Sequence, residues 1–197
     1  MRVLEKPPGG GLNGISTMNF LDWKNQNTVF TAMATQTGGP STLLTSGEPI
    51  QIHGTRVSAQ WFDIWGIKPV LGRTFAPDED QLGKEKVTVI SYRLWQNQFG
   101  LDRNIVGKSI RLDGKRYTVI GVLPGAFSTD QRWEDVWTPL AFEARDMTRN
   151  FHWMSSFARL KPGVTLEQAR TQMEGISGFE QGLGCSRRPP RRQNRRR

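Results

Sequence analysis

The sequence is poor in cysteine and in long apolar runs, and each shortage excludes a class of protein. Cys185 is the only cysteine among 197 residues, so an internal disulfide framework is excluded. No apolar run approaches the roughly 18 residues that a membrane-spanning helix needs. The opening residues, MRVLEKPPGGG, lack the apolar centre of a signal peptide. We therefore expect neither a membrane-spanning nor a secretory segment within these residues.

The sequence also has little net charge outside its final residues. The formal net charge is +9, but GCSRRPPRRQNRRR, residues 184–197, contains seven arginines, and without them the charge is only +2. A protein that binds nucleic acid normally carries a basic face on its folded body. Two hypotheses follow: a soluble basic nucleic-acid-binding protein that uses its arginine-rich tail, or a near-neutral domain with an unrelated tail.

Apolar spacing in the first third of the chain predicts one helix followed by strands. Residues 19–27, NFLDWKNQN, favour a short helix that carries Phe20 and Trp23 on one face. The segments 29–36 and 41–58 have the composition of strands, and a Gly-Gly-Pro sequence separates them. We therefore predict successive strands that are broken at Gly38-Gly39-Pro40 and again at Gly47-Glu48-Pro49.

The stretch VSAQWFDIWGIKPVLGRTF, residues 57–75, predicts a helix with both ends marked. Ser58 can accept a hydrogen bond from an early backbone N–H, and Gly66 can adopt the left-handed conformation that ends a helix. Three aromatic residues form the predicted apolar stripe: Trp61, Phe62 and Trp65. Pro69 prevents the helix from resuming after Gly66.

The segment VTVISYRLWQNQFG, residues 87–100, has the same design. The strand Val87–Ile90 leads into a helix that Ser91 opens and Gly100 ends. The predicted buried face carries Trp95 and Phe99. Two similar helices are too few to define an internal repeat.

The second half of the chain predicts a hairpin, two strands and a final helix. Asp113-Gly114 suits the tight turn of a hairpin over residues 108–125, whose second strand is apolar on both faces and is therefore central. Strands follow at 135–142 and 153–163. Thr165 and Gln168 form a capping box. The buried side of that last helix is predicted to carry four residues: Leu166, Ala169, Met173 and Ile176. The mixture of hairpins and strand–helix steps predicts an α+β fold.

Several patterns resemble ligand sites, and each has a plainer structural interpretation. Gly-Lys-Ser at 107–109 lacks both the upstream glycine and the following helix of a phosphate-binding loop. Asp78, Glu79 and Asp80 lack the alternate spacing of an EF-hand, so a solvated loop is favoured. His53 and His152 have no neighbouring ligands at metal-binding spacing.

We assign no catalytic, cofactor-binding or metal-binding residues, and we expect no cofactor. An enzyme that uses His53 or the Asp78–Asp80 region stays an alternative, which requires those residues to meet in one pocket. Seven tryptophans also raise the possibility of stacking on single-stranded nucleic acid. Because Trp61, Trp65 and Trp95 fall on apolar helix faces, packing in the core is the favoured interpretation.

Five stretches in order carry a family resemblance: NFLDWKNQNTVF, VSAQWFDIWGIKPVLGRTFAPDED, VTVISYRLWQNQFG, IVGKSIRLDGKRYTVIGVLP and ARLKPGVTLEQAR. Together they resemble the MacB-like periplasmic core domain of bacterial ABC-transporter permeases, over about residues 2–176. The resemblance implies a two-lobed α+β core of mixed strands and short helices on the periplasmic face of the inner membrane. It also implies a core without catalytic residues that couples the ATP cycle of a separate cytoplasmic ATPase to export or other extracytoplasmic work. The implied partners are the transmembrane helices of the permease, the ATPase and a periplasmic adaptor, whereas nucleic acid is not expected.

The resemblance divides the chain into residues 1–176, the core domain, and residues 177–197, a disordered basic tail. In the family a membrane helix precedes the core, and further core and membrane helices follow it. We therefore expect a fragment that is incomplete at both ends. Our hypothesis for the tail is an out-of-frame translation of GC-rich DNA.

Overall fold

The computed structural model describes residues 1–5, 13–45, 47–127 and 134–177. The predicted tail is residues 177–197: Ser177 is the last described residue, and residues 178–197, including Cys185, lie outside the described residues. The described chain forms nine strands: β1 Arg2–Val3, β2 Phe30–Leu44, β3 Ile50–Val57, β4 Leu71–Gly72, β5 Val87–Ile90, β6 Ser109–Leu112, β7 Lys115–Val122, β8 Val136–Pro139 and β9 Ser155–Leu160. It also forms four helices: α1 Thr17–Gln26, α2 Trp61–Trp65, α3 Tyr92–Phe99 and α4 Leu166–Ser177.

The strands form one mixed sheet that closes on itself. Its order is β1-β9-β2-β3-β8-β5-β7-β4, and β6 pairs with both β7 and β2. Strands β2, β3, β8, β5, β7 and β6 therefore make a ring, which we call the six-strand ring. The predicted α+β class is confirmed, and β7 is central as expected, because it has β5, β4 and β6 as partners.

Three groups of buried side chains hold the sheet and the helices together. The ring core contains at least one residue from every strand of the ring: Leu43, Ile52, Ile90, Ile110, Leu112, Val119, Val122 and Val136. Leu94 and Trp95 of α3 belong to the same group. A second group joins α1 and α4 to β9 and β2 through Phe20, Trp23, Met33, Ala158, Ala169 and Met173. The third joins α2 to the other face of β2 and β9 through Ala34, Trp61, Phe62, Trp137 and Phe157.

Strand β2 connects these groups and corrects one prediction. The predicted break at Gly38-Gly39-Pro40 is wrong, because β2 is paired with β3 without interruption from Gln36 to Leu43. On its other side β2 pairs with β9 only as far as Gln36 and with β6 only from Leu43. Proline lacks a backbone N–H, so Pro40 is tolerated where the strand has a neighbour on one side only.

Helix α2 corrects the predicted role of Ser58. Residue Gln60 is the N-cap of α2 and makes no capping bond with its side chain. Instead, Ser58 Oγ accepts a hydrogen bond from the backbone N–H of Thr35 at 3.0 Å. The end of α2 at Gly66 is confirmed, with a φ of 65°. Trp61 is fully buried, but Trp65 is 38% exposed, which contradicts its predicted place in the core.

Most other local signals are confirmed. Helix α1 begins earlier than predicted, because Ser16 caps it, and it buries both Phe20 and Trp23. Ser91 Oγ accepts from the N–H of Leu94, and Gly100 ends α3 in the left-handed conformation. The hairpin turn has a φ of 49° at Asp113.

Helix α4 confirms its predicted cap and corrects one buried position. Thr165 and Gln168 exchange hydrogen bonds of 2.8 and 3.2 Å, as the capping box requires. Ala169 and Met173 are buried, but Leu166 is 38% exposed. Leu166 is the first residue of α4, so the helix has not yet brought its apolar side over the sheet there.

Candidate functional site

A cleft opens at one end of the six-strand ring, beside the unpaired middle of β2. Its volume is about 290 Å³, at the lower end of the range for ligand pockets. Its lining comes from β2, β3, β8, the β6–β7 hairpin and the residues before β9: Thr37, Gly38, Gly39, Pro40, Ser41, Gly54, Thr55, Arg56, Leu112, Asp113, Tyr117, Val136, Thr138 and Trp153. We call it the ring-mouth cleft.

Cross-strand pairing explains why these residues share one surface. Thr37 lies opposite Arg56 and Gly39 opposite Gly54, while Arg56 is also paired with Thr138 on β8. Directly paired residues project from the same face of a sheet. The floor of the cleft therefore carries small or polar side chains and one cation, beside the apolar Val136, which is paired with Gly54.

One wall of the cleft is held by Asp113. Its Oδ2 accepts a hydrogen bond from Ser41 Oγ at 2.7 Å, and its Oδ1 accepts one from the backbone N–H of Thr42 at 2.7 Å. The backbone N–H of Asp113 donates to the carbonyl of Thr42 at 2.9 Å. The turn of the β6–β7 hairpin is thereby fastened to β2, which keeps this wall in place.

Another part of the lining is aromatic. Trp153 is partly buried, and Phe151, which is 64% exposed, stacks on it with ring centroids 6.4 Å apart. Nε1 of Trp153 is buried and has no hydrogen-bond acceptor within the described residues. A buried donor without a partner lowers stability, so this part carries a polar group that the fold leaves unused.

The acidic residues that the sequence singled out have three separate structural roles. Glu79 is buried and bonds to the guanidinium of Arg73 at 2.6 and 2.8 Å and to the N–H of Ala76 at 2.7 Å. Asp80 accepts from the N–H of Ala59, and Asp78 is exposed and pairs with Lys84. None of the three lines the ring-mouth cleft.

These contacts explain the electrostatics of the loop. Burial alone would raise the pKa of Glu79, but its hydrogen bonds from Arg73 and Ala76 outweigh burial and hold its pKa below the ordinary value. Lys84 is the main cause of the lowered pKa of Asp78. Both side chains are thus favoured as carboxylates in the folded state.

Neither histidine lines the cleft, and the two have different partners. His53 is exposed on β3, and its backbone N–H donates to the buried carboxylate of Asp135 at 3.0 Å. His152 Nδ1 contacts the buried carboxylate of Glu5. Glu5 also accepts from the side chain of Asn19 at 2.9 Å, so it joins the start of the chain to α1.

The Gly-Lys-Ser sequence also has a structural place. Lys108 pairs with Asp102 at 2.6 Å, which is the main cause of the lowered pKa of Asp102. Ser109 begins strand β6 rather than a helix. The N-terminal helix dipole that a phosphate-binding loop uses is therefore missing at this point.

Neither a metal cluster nor a membrane-spanning helix is found in the described ranges. Within residues 1–5, 13–45, 47–127 and 134–177, no group of three or more His, Cys, Asp or Glu side chains is placed to hold a metal ion. In the same ranges no helix is long and apolar enough to cross a membrane.

The sequence interpretation missed the ring-mouth cleft. Its one local signal was Gly38-Gly39-Pro40, which we interpreted as a break between strands. Glycine inside a strand can instead mark a place where another group approaches closely. The remaining lining residues come from distant parts of the chain.

The fold and these contacts define a class: an α+β domain that resembles the extracytoplasmic parts of ABC-type transporters. Three solved structures share the fold. The periplasmic region of MacB from Actinobacillus actinomycetemcomitans matches with a TM-score of 0.67 and 13% identity, over 89% of this chain and 81% of that one. The extracellular domain of the noncanonic ABC-type transporter YknZ from Gram-positive bacteria matches with a TM-score of 0.64 and 15% identity, over 92% and 96%. A domain of a putative permease protein from Porphyromonas gingivalis matches with a TM-score of 0.63 and 15% identity, over 88% and 77%.

Sequence comparison then shows the family. The profile of the MacB-like periplasmic core domain matches residues 2–176, so the chain belongs to this family of periplasmic domains of ABC-transporter permeases. The resemblance expected from the sequence is confirmed. The search of curated proteins finds no match.

Proposed function

We propose that this chain is a non-catalytic periplasmic domain, or a fragment of one, that couples the ATP cycle of a MacB-type transporter to export or other extracytoplasmic work. The observation that carries the proposal is the family match over residues 2–176. We assign the domain to residues 1–176 and place residues 177–197 outside it. The domain stands on the periplasmic face of the bacterial inner membrane.

The absence of a catalytic role is supported by how the reactive side chains are used. Glu79 and Asp135 are buried and ion-paired with Arg73 and Arg93. The carboxylate of Glu5 is buried against His152. All three carboxylates are thus already bonded to other groups of the fold. We accordingly assign the domain no catalytic, cofactor-binding or metal-binding residues.

The coupling role is supported by the continuity of the sheet. Strand β2 is shared by the α1/α4 group, the α2 group and the ring, and hydrogen-bonded pairing runs from β1 through β9 and β2 to β4. A displacement of one end of such a sheet is passed to the other end, because packed interiors resist compression. The domain can thus transmit movement without chemistry of its own.

The partners in this proposal are the transmembrane helices of the permease, a separate ABC ATPase subunit or domain, and a periplasmic adaptor. A test uses the complete permease that contains this domain, with one spin label at Lys115→Cys and another on a transmembrane helix. The distance between the labels should change when a non-hydrolysable ATP analogue is added. The same distance distribution in every nucleotide state would contradict the coupling role.

The alternative function, binding of nucleic acid, has no support among the comparisons. A salt titration of DNA binding separates it from our proposal, using the chain with and without residues 178–197. We expect any affinity to disappear with these residues, since the charge of the remaining chain is close to neutral. Affinity that survives their removal would favour the alternative.

A further inference from the structure

The unpaired edge of β2 in the ring-mouth cleft can accept another extended chain. Thr42 directs its N–H and its carbonyl to Asp113, on the side of β2 away from β3. Alternate residues of an antiparallel strand direct both groups to the same neighbour, so Gly38 and Pro40 present theirs on this side too. Within the described chain no strand pairs with β2 there. The pairing of β2 with β9 ends at Gln36 of β2, and its pairing with β6 begins at Leu43 of β2. One N–H and two carbonyls are therefore available to a peptide.

The space beside this edge is open because of Gly39. A Cβ atom built at Gly39 meets nothing within 4 Å, so packing does not explain why glycine stands there. At Gly38, by contrast, a Cβ atom would lie 2.8 Å from Thr55 Oγ1 and 3.0 Å from the carbonyl of Gly54. Gly38 is required by the fold, whereas Gly39 keeps the cleft free.

One exposed donor in the lining has unused capacity. Arg56 is exposed, and within the described residues the hydrogen bond of its side chain, to the carbonyl of Ala141, is long at 3.4 Å. Nε1 of Trp153 also has no acceptor in the described chain, but it is buried and is not offered to the cleft. Among the described residues that line the cleft, Arg56 is the only cation and Asp113 the only anion. Asp113 lies against Ser41 and the hairpin. The cleft therefore has a negative part at Asp113 and a positive part at Arg56.

We propose that the ring-mouth cleft binds an extended peptide segment of a partner protein, with an acidic side chain of that segment on Arg56. The peptide backbone pairs with Gly38 and Pro40, as in recognition by strand addition. Its carboxylate lies toward Arg56 and away from Asp113, and an apolar side chain packs on Trp153 and Phe151. This inference does not depend on the coupling role proposed above.

The test uses the purified chain and the peptide acetyl-Val-Thr-Val-Glu-Val-amide, followed by NMR spectra of ¹⁵N-labelled protein. We expect saturable shifts at the indole N–H of Trp153 and the amide of Gly38, at peptide concentrations up to about 1 mM. The same peptide with glutamine in place of glutamate should bind about tenfold more weakly, because hydrogen bonds to charged groups are the stronger ones.

Three variants locate the contact. Arg56→Gln should weaken the glutamate peptide about tenfold and leave the glutamine peptide almost unchanged. Arg116→Gln makes the same charge change on an exposed residue outside the cleft and should alter neither affinity. Gly39→Val should abolish binding while the protein still unfolds cooperatively at no lower temperature, since its side chain enters open space.

Several results would overturn the proposal. They are the absence of saturable shifts with the unmodified chain, equal weakening by Arg116→Gln and Arg56→Gln, and full binding to folded Gly39→Val. Equal affinity for acetylglutamate amide would also overturn it, because the cleft would then recognise a small carboxylate rather than a strand.

Discussion

The guanidinium of Arg73 donates two hydrogen bonds to the buried carboxylate of Glu79, from Nη1 to Oε2 at 2.8 Å and from Nη2 to Oε1 at 2.6 Å. The same Oε2 accepts the backbone N–H of Ala76 at 2.7 Å. Arg73 directly follows β4, so this pair fixes the loop that leads from β4 toward β5. A segment that resembled a metal or catalytic site thus serves to position backbone.

Replacing Glu79 should destabilise the fold much more than replacing its neighbour Asp78. Glu79→Gln removes the charge from a buried, two-fold hydrogen bond, and we expect it to lower the free energy of unfolding by about 1–3 kcal/mol. Asp78→Asn is the matched control, because Asp78 is exposed, and it should have almost no effect. Urea denaturation of the two variants checks this, and equal losses would contradict it.

The same pair predicts a loss of stability in acid. The pKa of Glu79 in the folded state lies below its ordinary value of 4.5, so the unfolded chain binds its proton first as the pH falls. The stabilisation is therefore complete above about pH 4.5 and is lost as the pH falls through the folded-state pKa. Denaturation between pH 6 and about pH 3 should show a shallower decline for Glu79→Gln than for the unmodified chain. Parallel declines would refute this role of Glu79.

The two tryptophans of α2 should contribute very different amounts to the free energy of unfolding. Trp61 is fully buried against Phe157, with ring centroids 5.0 Å apart, whereas Trp65 is 38% exposed. Trp61→Ala should lower the unfolding free energy by about 3–5 kcal/mol, the usual range for a large buried aromatic. Trp65→Ala should cost less than half as much. Similar losses in guanidinium denaturation would show that Trp65 belongs to the core after all.

Substitutions of Asp113 should show how much its hydrogen bonds between the hairpin and β2 contribute to the stability of the fold. Asp113→Ala removes two hydrogen bonds and places alanine at a φ of 49°, so we expect a loss of about 2–3 kcal/mol. Asp113→Asn keeps an acceptor and a residue type that tolerates this conformation, and should lose less than about 1 kcal/mol. Thermal unfolding distinguishes them, and equal stability of both variants would contradict the fastening role.

Ser58 and Ser91 offer a test of two serine roles that look alike in sequence. Ser58→Ala should leave the buried N–H of Thr35 without an acceptor, at a cost of about 1–3 kcal/mol. Ser91→Ala should lose a helix cap, at a cost of about 1 kcal/mol. Hydrogen exchange should speed up at the amide of Thr35 in the first variant and at that of Leu94 in the second. Faster exchange throughout α2 in Ser58→Ala would contradict this and would support the predicted role of Ser58 as the cap of α2.

Local signals were sufficient to predict the elements whose ends are set by neighbouring residues. The cap at Ser91, the stop at Gly100 and the turn at Asp113 each depend on contacts within a few positions. Ser58 shows the limit of such signals, since its partner Thr35 lies 23 positions away. A serine beside an apolar stripe has the same local appearance in both roles.

Pairing between distant strands could not be predicted in the same way. The ring closes only because β6 meets β2 through Leu43 and Leu112, and β8 enters between β3 and β5. The ring-mouth cleft depends on that closure, because it brings Gly39, Arg56 and Trp153 together. The apolar spacing within one segment does not indicate which distant segment it will contact.

The central claim, that this domain stands outside the cytoplasm, is tested most directly by the labelling of a single cysteine in the bacterium that carries the gene. The variant Lys115→Cys, in a Cys185→Ser background, is expressed from its own locus. The outer membrane alone is then permeabilised, and the cells are treated with a membrane-impermeant maleimide. Lys115 is exposed in the hairpin, whereas Ala158→Cys, at a fully buried position, is the unlabelled control. The account predicts labelling at Lys115→Cys while the cytoplasmic membrane is intact. Labelling that appears only after that membrane is lysed would contradict it.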